Sequence, residues 1–285
     1  MRPVTVNVGP VTAQNTTNIA SGQPTAAGQL ALNIAGLDTW SWQGTASIAG
    51  NVMTVTGTTT GAIAYGDALS GLNVAPGTKI LGPGPGAVAN TYLVSVAQTL
   101  ASQTIFSNAK ASLGVAQRLA ITASAGGDVG KILTLVGTDY TGAVQTEQIS
   151  ILASTQSSQL DYLTLTSASI SAAAAAPIQI GTFGTASSPW VRLDEYAQGP
   201  TSITCQAVGT VNYTVQQTNQ DPNSLSNPVL PSQVTWVNSS DVAAVAATAS
   251  IQTVFANPPL FVRVTLNSGT GNVVATISQV GVAPY

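Results

Sequence analysis

The sequence predicts an all-β fold: an antiparallel β-sandwich with a small β domain inserted into it. Three observations lead there. Val, Thr and Ile recur in short alternating runs broken by turn residues about every ten positions, the rhythm of sandwiches and barrels. No segment sustains a 3.6-residue apolar period between capping signals. Charged residues make up only 6% of the 285 positions, against roughly 25% in an average soluble domain, while hydrophobic residues reach 44%. That balance excludes disorder, which needs charge and little apolar content. A surface of Thr, Ser, Asn and Gln is solvated without charge and repels its own copies little.

Residues 1–25, rich in Thr, Asn and Gly with Pro3, Pro10 and Pro24, read as an extended N-terminal arm that orders on docking. Val4, Val6 and Val8 are its candidate interface residues. Composition breaks near residues 40 and 110. The stretch 43–109 reads as a self-contained β module set into a larger region of 26–42 plus 110–285, which itself divides into two sub-units near 185–200. Similar sequence resumes on both flanks (28–33 and 117–122), as when a module enters at a loop whose ends lie close.

Three hairpins are expected. Residues 132–137 turn through 138–142 into 144–151, with Asp and Gly supplying local hydrogen bonds and a free φ. Residues 202–208 return as 211–216 through Gly209-Thr210, a type II′ signal. Residues 260–266 return as 273–277. Further strands are expected at 160–166, 178–180 and 234–237. Residues 241–250 are consistent with a helical turn or two, a loop or a strand.

The chain has no histidine, which removes the base of Ser-His-Asp and Cys-His catalysis and the usual metal ligand. The single Cys205 reads as a buried hydrophobe. Asp194-Glu195 is the one adjacent acid pair, but strand neighbours point to opposite faces and do not flank one sugar bond. Arg192 and Asp194, two apart on one face, are candidate interface residues instead. Gly82-Pro83-Gly84-Pro85-Gly86 lacks the Lys and the following helix of a phosphate loop. Asp67, Asp128 and Asp139 fall in turns without EF-hand spacing, where Asp usually bonds its own backbone. No catalytic, cofactor-binding or metal residues are therefore expected, and the chain reads as no enzyme. Four Trp read as core and interface anchors. Trp40 and Trp42 share a strand face as the best sticky patch, and Trp190 joins them as a candidate contact.

The seven basic residues are scattered, which argues against nucleic acid. The longest bland apolar run, 172–177, is far short of the ~20 residues of a membrane span, and residues 1–10 carry no apolar signal core.

Two resemblances give these patterns a context. Met53–Thr56, Gly66–Ile80 and Thr91–Ser102 resemble a recurrent small β module of phage structural proteins, with a strand of the type "-lTVT-", then "G-xLSGxGVxPGTxI", then "TYxVsxsQTxAS". Leu119–Gly130 and Leu133–Ile149 resemble a tailed-phage virion family with the pattern "rvtITSaGnDsGxxxTVxGTDxxGxxxTExI", and residues 190–196 and 209–216 fit it too. Gly127 stands where that family usually has Asn. The resemblance implies a virion structural protein, foremost a capsid decoration (cement) protein on the head surface, assembled in the host cytoplasm. Its implied partners are the major capsid protein and further copies of itself, with trimers expected from lattice symmetry. The alternative is a tail or head-fibre component that contacts host-surface glycan.

Overall fold

The computed structural model describes residues 3–11, 14–34, 38–194 and 199–279. The fold is all-β, with antiparallel pairing throughout the described sheets and only single-turn 3-10 helices between strands. Three hydrophobic cores organise it.

The first core belongs to an eight-stranded sheet. Its path runs Val144–Ser150, Ile132–Thr138, Gln156–Ile170, Ala111–Ala123, Ile178–Thr182, Asn15–Gly22, Ala31–Leu32, with Gly28–Gln29 paired to Gln156–Ile170. The period-2 alternation sends Leu133 and Leu135 inward while Thr134 and Val136 face out. Leu119, Ile121, Tyr162, Leu165, Ile178 and Ile180 meet them in one cluster, so this single sheet folds onto itself. Residues 28–32 tie the end of the path back to its middle, pairing with Ser169–Ile170 on one side and Ala20–Ser21 on the other. The hairpin at 139–143 is present: Asp139 Oδ1 accepts from Thr141 N–H at 2.8 Å and Ala143 N–H at 3.0 Å, and Gly142 takes φ +85°.

The second core lies between two sheets. One has the order Val4–Val8, Asn272–Gln279, Thr201–Val208, Ile251–Phe255. The other is built on Phe261–Gly269 and Val211–Thr218, with the short strands Ala186–Ser187, Val191–Arg192 and Val237–Asn238 at its margins. Two of the expected hairpins dissolve here. Thr201–Val208 does not pair with Val211–Thr218; each pairs with a strand from the 261–279 region instead, in opposite sheets. The register runs from Thr201↔Gln279 through Val208↔Asn272 and on to Val211↔Gly269 without a slip. This is one long antiparallel ribbon folded over at a corner, and its halves face each other across Ile203, Cys205, Tyr213, Val215, Val264 and Ile277. Glycine makes the corner. A Cβ on Gly271 would lie 2.1 Å from Val208 O, and one on Gly269 2.3 Å from Thr210 O. A two-residue Gly-X link serves a sheet corner as well as a hairpin, and the apolar faces decide between them.

The N-terminal segment is also a correction. Residues 4–8 are an edge strand of this sandwich, not a free arm, registered from Val4↔Ile277 to Val8↔Val273. Val6 and Val8 are buried in the second core. Asn15–Gly22 then pairs with Ile178–Thr182 in the first. Three alternating valines suffice for a strand once a partner is supplied from about 270 residues away.

The third core fills residues 42–107. The strand Trp42–Gly61 doubles back at Gly50, which takes φ +61°, and Thr56 Oγ1 reaches Thr45 O at 3.3 Å. Thr91–Ser107 pairs with both of its halves, so the unit curls around Trp42, Ile48, Met53, Ile80, Val94 and Ile105. Gly44 is needed for this: a Cβ there would sit 2.3 Å from the Trp42 ring and 2.4 Å from Gly57 O. The neck is a mutual backbone pair, Thr39 N–H to Lys110 O and Lys110 N–H to Thr39 O, at 3.1 and 2.9 Å. Gln29 docks the unit onto the first core. Its N–H donates to Val74 O at 2.9 Å, its carbonyl accepts from Asn73 N–H at 2.9 Å, and its Nε2 donates to Leu69 O at 3.2 Å. In the 241–250 segment a 3-10 turn forms at Val242–Ala244, capped by Asp241, which accepts from Ala243 N–H at 3.0 Å.

Two outcomes follow from this architecture. Replacing residues 42–107 by a short Gly-Ser link leaves a chain that still unfolds cooperatively in a thermal melt, because the unit's core is its own; loss of the transition would show that the core is shared. Removing residues 1–11 strips Val6, Val8 and Val11 from the second core, a loss of about 4.5 kcal/mol at ~1.5 per valine. The melting temperature should fall by roughly 10 °C. An unchanged melt would restore the arm.

Candidate functional site

The expected contact residues divide once they are placed. Val4 is half-buried and Val6 and Val8 are buried, so their side chains are not contact groups; the strand they form ends its sheet, and its outer backbone edge is what faces away. Trp42 is buried in the third core with Nε1 donating to Thr58 Oγ1 at 3.3 Å. Trp40, 37% exposed, lies against Phe106 edge-on at 6.1 Å and donates to Thr60 Oγ1 at 2.9 Å. The two rings thus form no joint patch, because Trp40 precedes the strand and only Trp42 follows its inward face.

Trp190 is the hub of an aromatic group, edge-on to Trp236 at 5.0 Å and to Phe261 at 6.1 Å. Arg192 lies over the Phe261 ring at 5.7 Å and pairs with Asp221 at 3.4 Å. Asp194 is exposed, and the Gln279 amide clamps its backbone in both directions, at 2.9 and 2.8 Å. Glu195 lies outside the described residues.

A charged junction that the sequence did not signal sits where the first and second cores meet. Arg118 N–H donates to Thr185 O at 2.9 Å, and its guanidinium reaches Ser187 Oγ at 3.2 Å and Asp161 Oδ1 at 3.9 Å. From the other core comes Arg263, buried, with Nε donating to Gln216 Oε1 at 2.9 Å and its guanidinium over Trp236 at 4.1 Å. Burial pushes the Asp161 carboxyl up to about 6, against the pull of Arg118, Arg263 and Ser187. Burial likewise pushes Arg263 down, to about 9, which leaves it charged at neutral pH.

The acidic residues within 66–80 and 119–149 are all engaged. Asp67 accepts from Ala64 N–H at 3.0 Å, Ser107 Oγ at 3.0 Å and Asn108 Nδ2 at 2.7 Å. Asp128 takes Lys131 Nζ at 2.8 Å and the N–H groups of Ala175 and Ala176 at 2.7 and 3.2 Å. Burial alone would raise its pKa; these donors outweigh it and hold the carboxyl low. Glu147, buried, accepts from Gln159 N–H at 2.7 Å, Leu160 N–H at 3.2 Å and Tyr162 OH at 3.4 Å, and burial raises its pKa. Each carboxylate staples a turn or bulge. The Cys205 thiol is buried and pushed up to about 12, which leaves it unreactive. Among the described residues no three potential metal ligands cluster.

A cleft of about 680 Å³ opens between the neck of the inserted unit and the outer face of the first sheet. Trp40, Ser70, Asn108 and Lys110 line one side and Thr134 and Thr166 the other. Comparison with known proteins finds no matching family model, no matching curated protein and no matching solved structure.

The junction makes stability depend on pH. Folding raises the Asp161 pKa from near 4 to about 6. Between those values the folded chain binds more protons than the unfolded one. The stabilisation is therefore full below pH ~4 and is lost as pH rises through about 6. Urea unfolding of wild type and Asp161→Asn from pH 4 to 7.5 should show the wild type losing on the order of 2 kcal/mol relative to the variant. Glu147 and Asp128 titrate in both proteins and cancel. A pH-independent difference would mean that Asp161 is ionised throughout.

Proposed function

We propose that this chain is a structural protein of a tailed-phage virion, a decoration protein that binds the outer surface of the head and stabilises it. One observation carries the reading: the acidic residues within the virion-family pattern, Asp128, Asp139 and Glu147, all hold backbone N–H groups. A pattern whose polar residues build turns and bulges belongs to a scaffold. Two further features support it. The surface is poor in charge, so copies crowd with little repulsion. Two sheet edges, Val144–Ser150 and Ile251–Phe255, carry exposed Val144 and Val254 and offer unpaired backbone to a neighbour. The partners are the major capsid protein and other copies of this chain, and many weak contacts sum through avidity.

Quantitative mass spectrometry of purified virions tests this. A head decoration protein is present on the order of hundreds of copies per particle, as a lattice of equivalent positions requires. About a dozen copies or fewer would move the protein to the tail or a vertex. Added back to particles that lack it, the protein should raise the temperature at which heads release DNA. Attachment to tails alone would replace the decoration reading by that of a glycan-contacting fibre component.

A further inference from the structure

We propose that the loop of residues 219–236 is a docking knob that seats in the cleft between the inserted unit and the first sheet of a second copy of this chain. The inference stands apart from the virion reading, because both halves of the contact belong to this chain and are tested in solution without particles.

The loop is longer than its position requires. Val211–Thr218 and Val237–Asn238 are adjacent antiparallel strands, registered Gln216↔Asn238 and Gln217↔Val237. Such neighbours are usually joined by about two to five residues, and a much longer link is usually functional. The base of the loop is fixed. Asn219 Oδ1 accepts from Leu260 N–H at 3.1 Å, Gln220 Oε1 accepts from Thr235 N–H at 2.5 Å, and Asp221 pairs with Arg192 at 3.4 Å. The tip is fixed too. Asp221 O accepts from Ser224 N–H at 3.1 Å, and Ser224 Oγ accepts from Asn227 N–H at 3.2 Å. Between these two turns Leu225 stands fully exposed, and further along Leu230 is 63% exposed. A leucine held in solvent by hydrogen-bonded turns contributes nothing to its own fold. It has the form of a preorganised anchor, ordered before a partner arrives.

The cleft matches it. Its accessible lining is largely apolar: Trp40, Ala68 and Pro76 are exposed and Val136 is half-buried. The lining holds no carboxylate, and Lys110 is its one charge. Residues 222–236 carry no charge at all. The two surfaces therefore meet without repulsion, and the long Lys110 stem lets its ammonium stay in water. No residue of the loop lines the cleft of its own chain, so the knob is brought by another copy. Every copy then has a knob to give and a cleft to fill. The contact is heterologous, and its repetition closes a ring or extends a row.

Sedimentation velocity of the full-length protein up to about 0.5 mM detects contacts as weak as millimolar. Wild type should self-associate. Leu225→Ser removes the anchor and Ala68→Arg fills the cleft, and each should weaken association about tenfold or more. Leu225 and Ala68 are both exposed, so the two thermal melts should match wild type. Thr134→Arg, on the opposite wall, blocks the cleft a second way should Ala68→Arg melt low. Mixed in equal amounts, the loop variant and the cleft variant should restore a heterodimer, since one supplies the intact cleft and the other the intact loop. A wild type that stays monomeric overturns the proposal. So does association that survives both cleft variants, which sets the loop against another surface, and so does a mixture that fails to pair.

Discussion

The contact on which the arrangement of this molecule depends is the meeting of Arg118, Asp161 and Arg263. In a chain that is 6% charged, three charged groups converge at the seam between its two larger cores. Taking charges out of water is costly unless they are paired and hydrogen-bonded. Arg118 is fixed by backbone on both sides, to Thr185 and from Phe183, so its guanidinium is delivered to Asp161. Arg263 is fixed by Gln216 and by the Trp236 ring. Arg118 Nε and Asp161 Oδ1 meet as an ion pair at 3.9 Å without a hydrogen bond between them, so the seam is set by charge as much as by hydrogen bonding. An apolar seam would stick; this one selects an orientation.

The fold class was legible because its causes are local. Alternation, turn chemistry and the absence of helical period are written within ten residues of each position. The 139–143 hairpin shows this well, since Asp139 and Gly142 carry their own instructions. What was not legible is whatever a distant partner decides. Gly209-Thr210 reads as a hairpin until the strands from 261–279 are placed against it. Val4, Val6 and Val8 read as an unpaired arm because their partner is at the far end of the chain. Trp40 and Trp42 read as a pair because spacing by two implies a shared face, which holds only when both residues lie in the strand. Around the cleft, Gln29, Ser70 and Lys110 lie far apart in sequence and show nothing in common until the inserted unit docks.

The acids show how a sparse inventory is used. Asp67, Asp128, Asp139, Asp241 and Glu147 each accept from backbone N–H groups in turns or bulges. A carboxylate accepting such bonds is stronger than a neutral cap and leaves fewer charges for the outer surface. The neutrality of the exterior and the rigidity of the turns thus have one origin. With few acids to place, the chain puts them where a loop needs an anchor, and Thr, Ser and Asn cover the rest.

The pairing of Val4–Val8 with Asn272–Gln279 also sets the mechanics of the molecule. The two strands are antiparallel neighbours, so Val4 and Ile277 leave the sheet at the same end. Tension drawing these two apart loads the hydrogen bonds one pair at a time, as in opening a zipper. Tension along the folded ribbon of residues 201–218 and 261–279 loads many pairs together, in shear. Under strain the outer strand therefore peels first, drawing Val6 and Val8 out of the second core while the first and third cores remain folded behind it. Held at this edge, the protein yields stepwise and can close again, in the manner of a mechanical fuse.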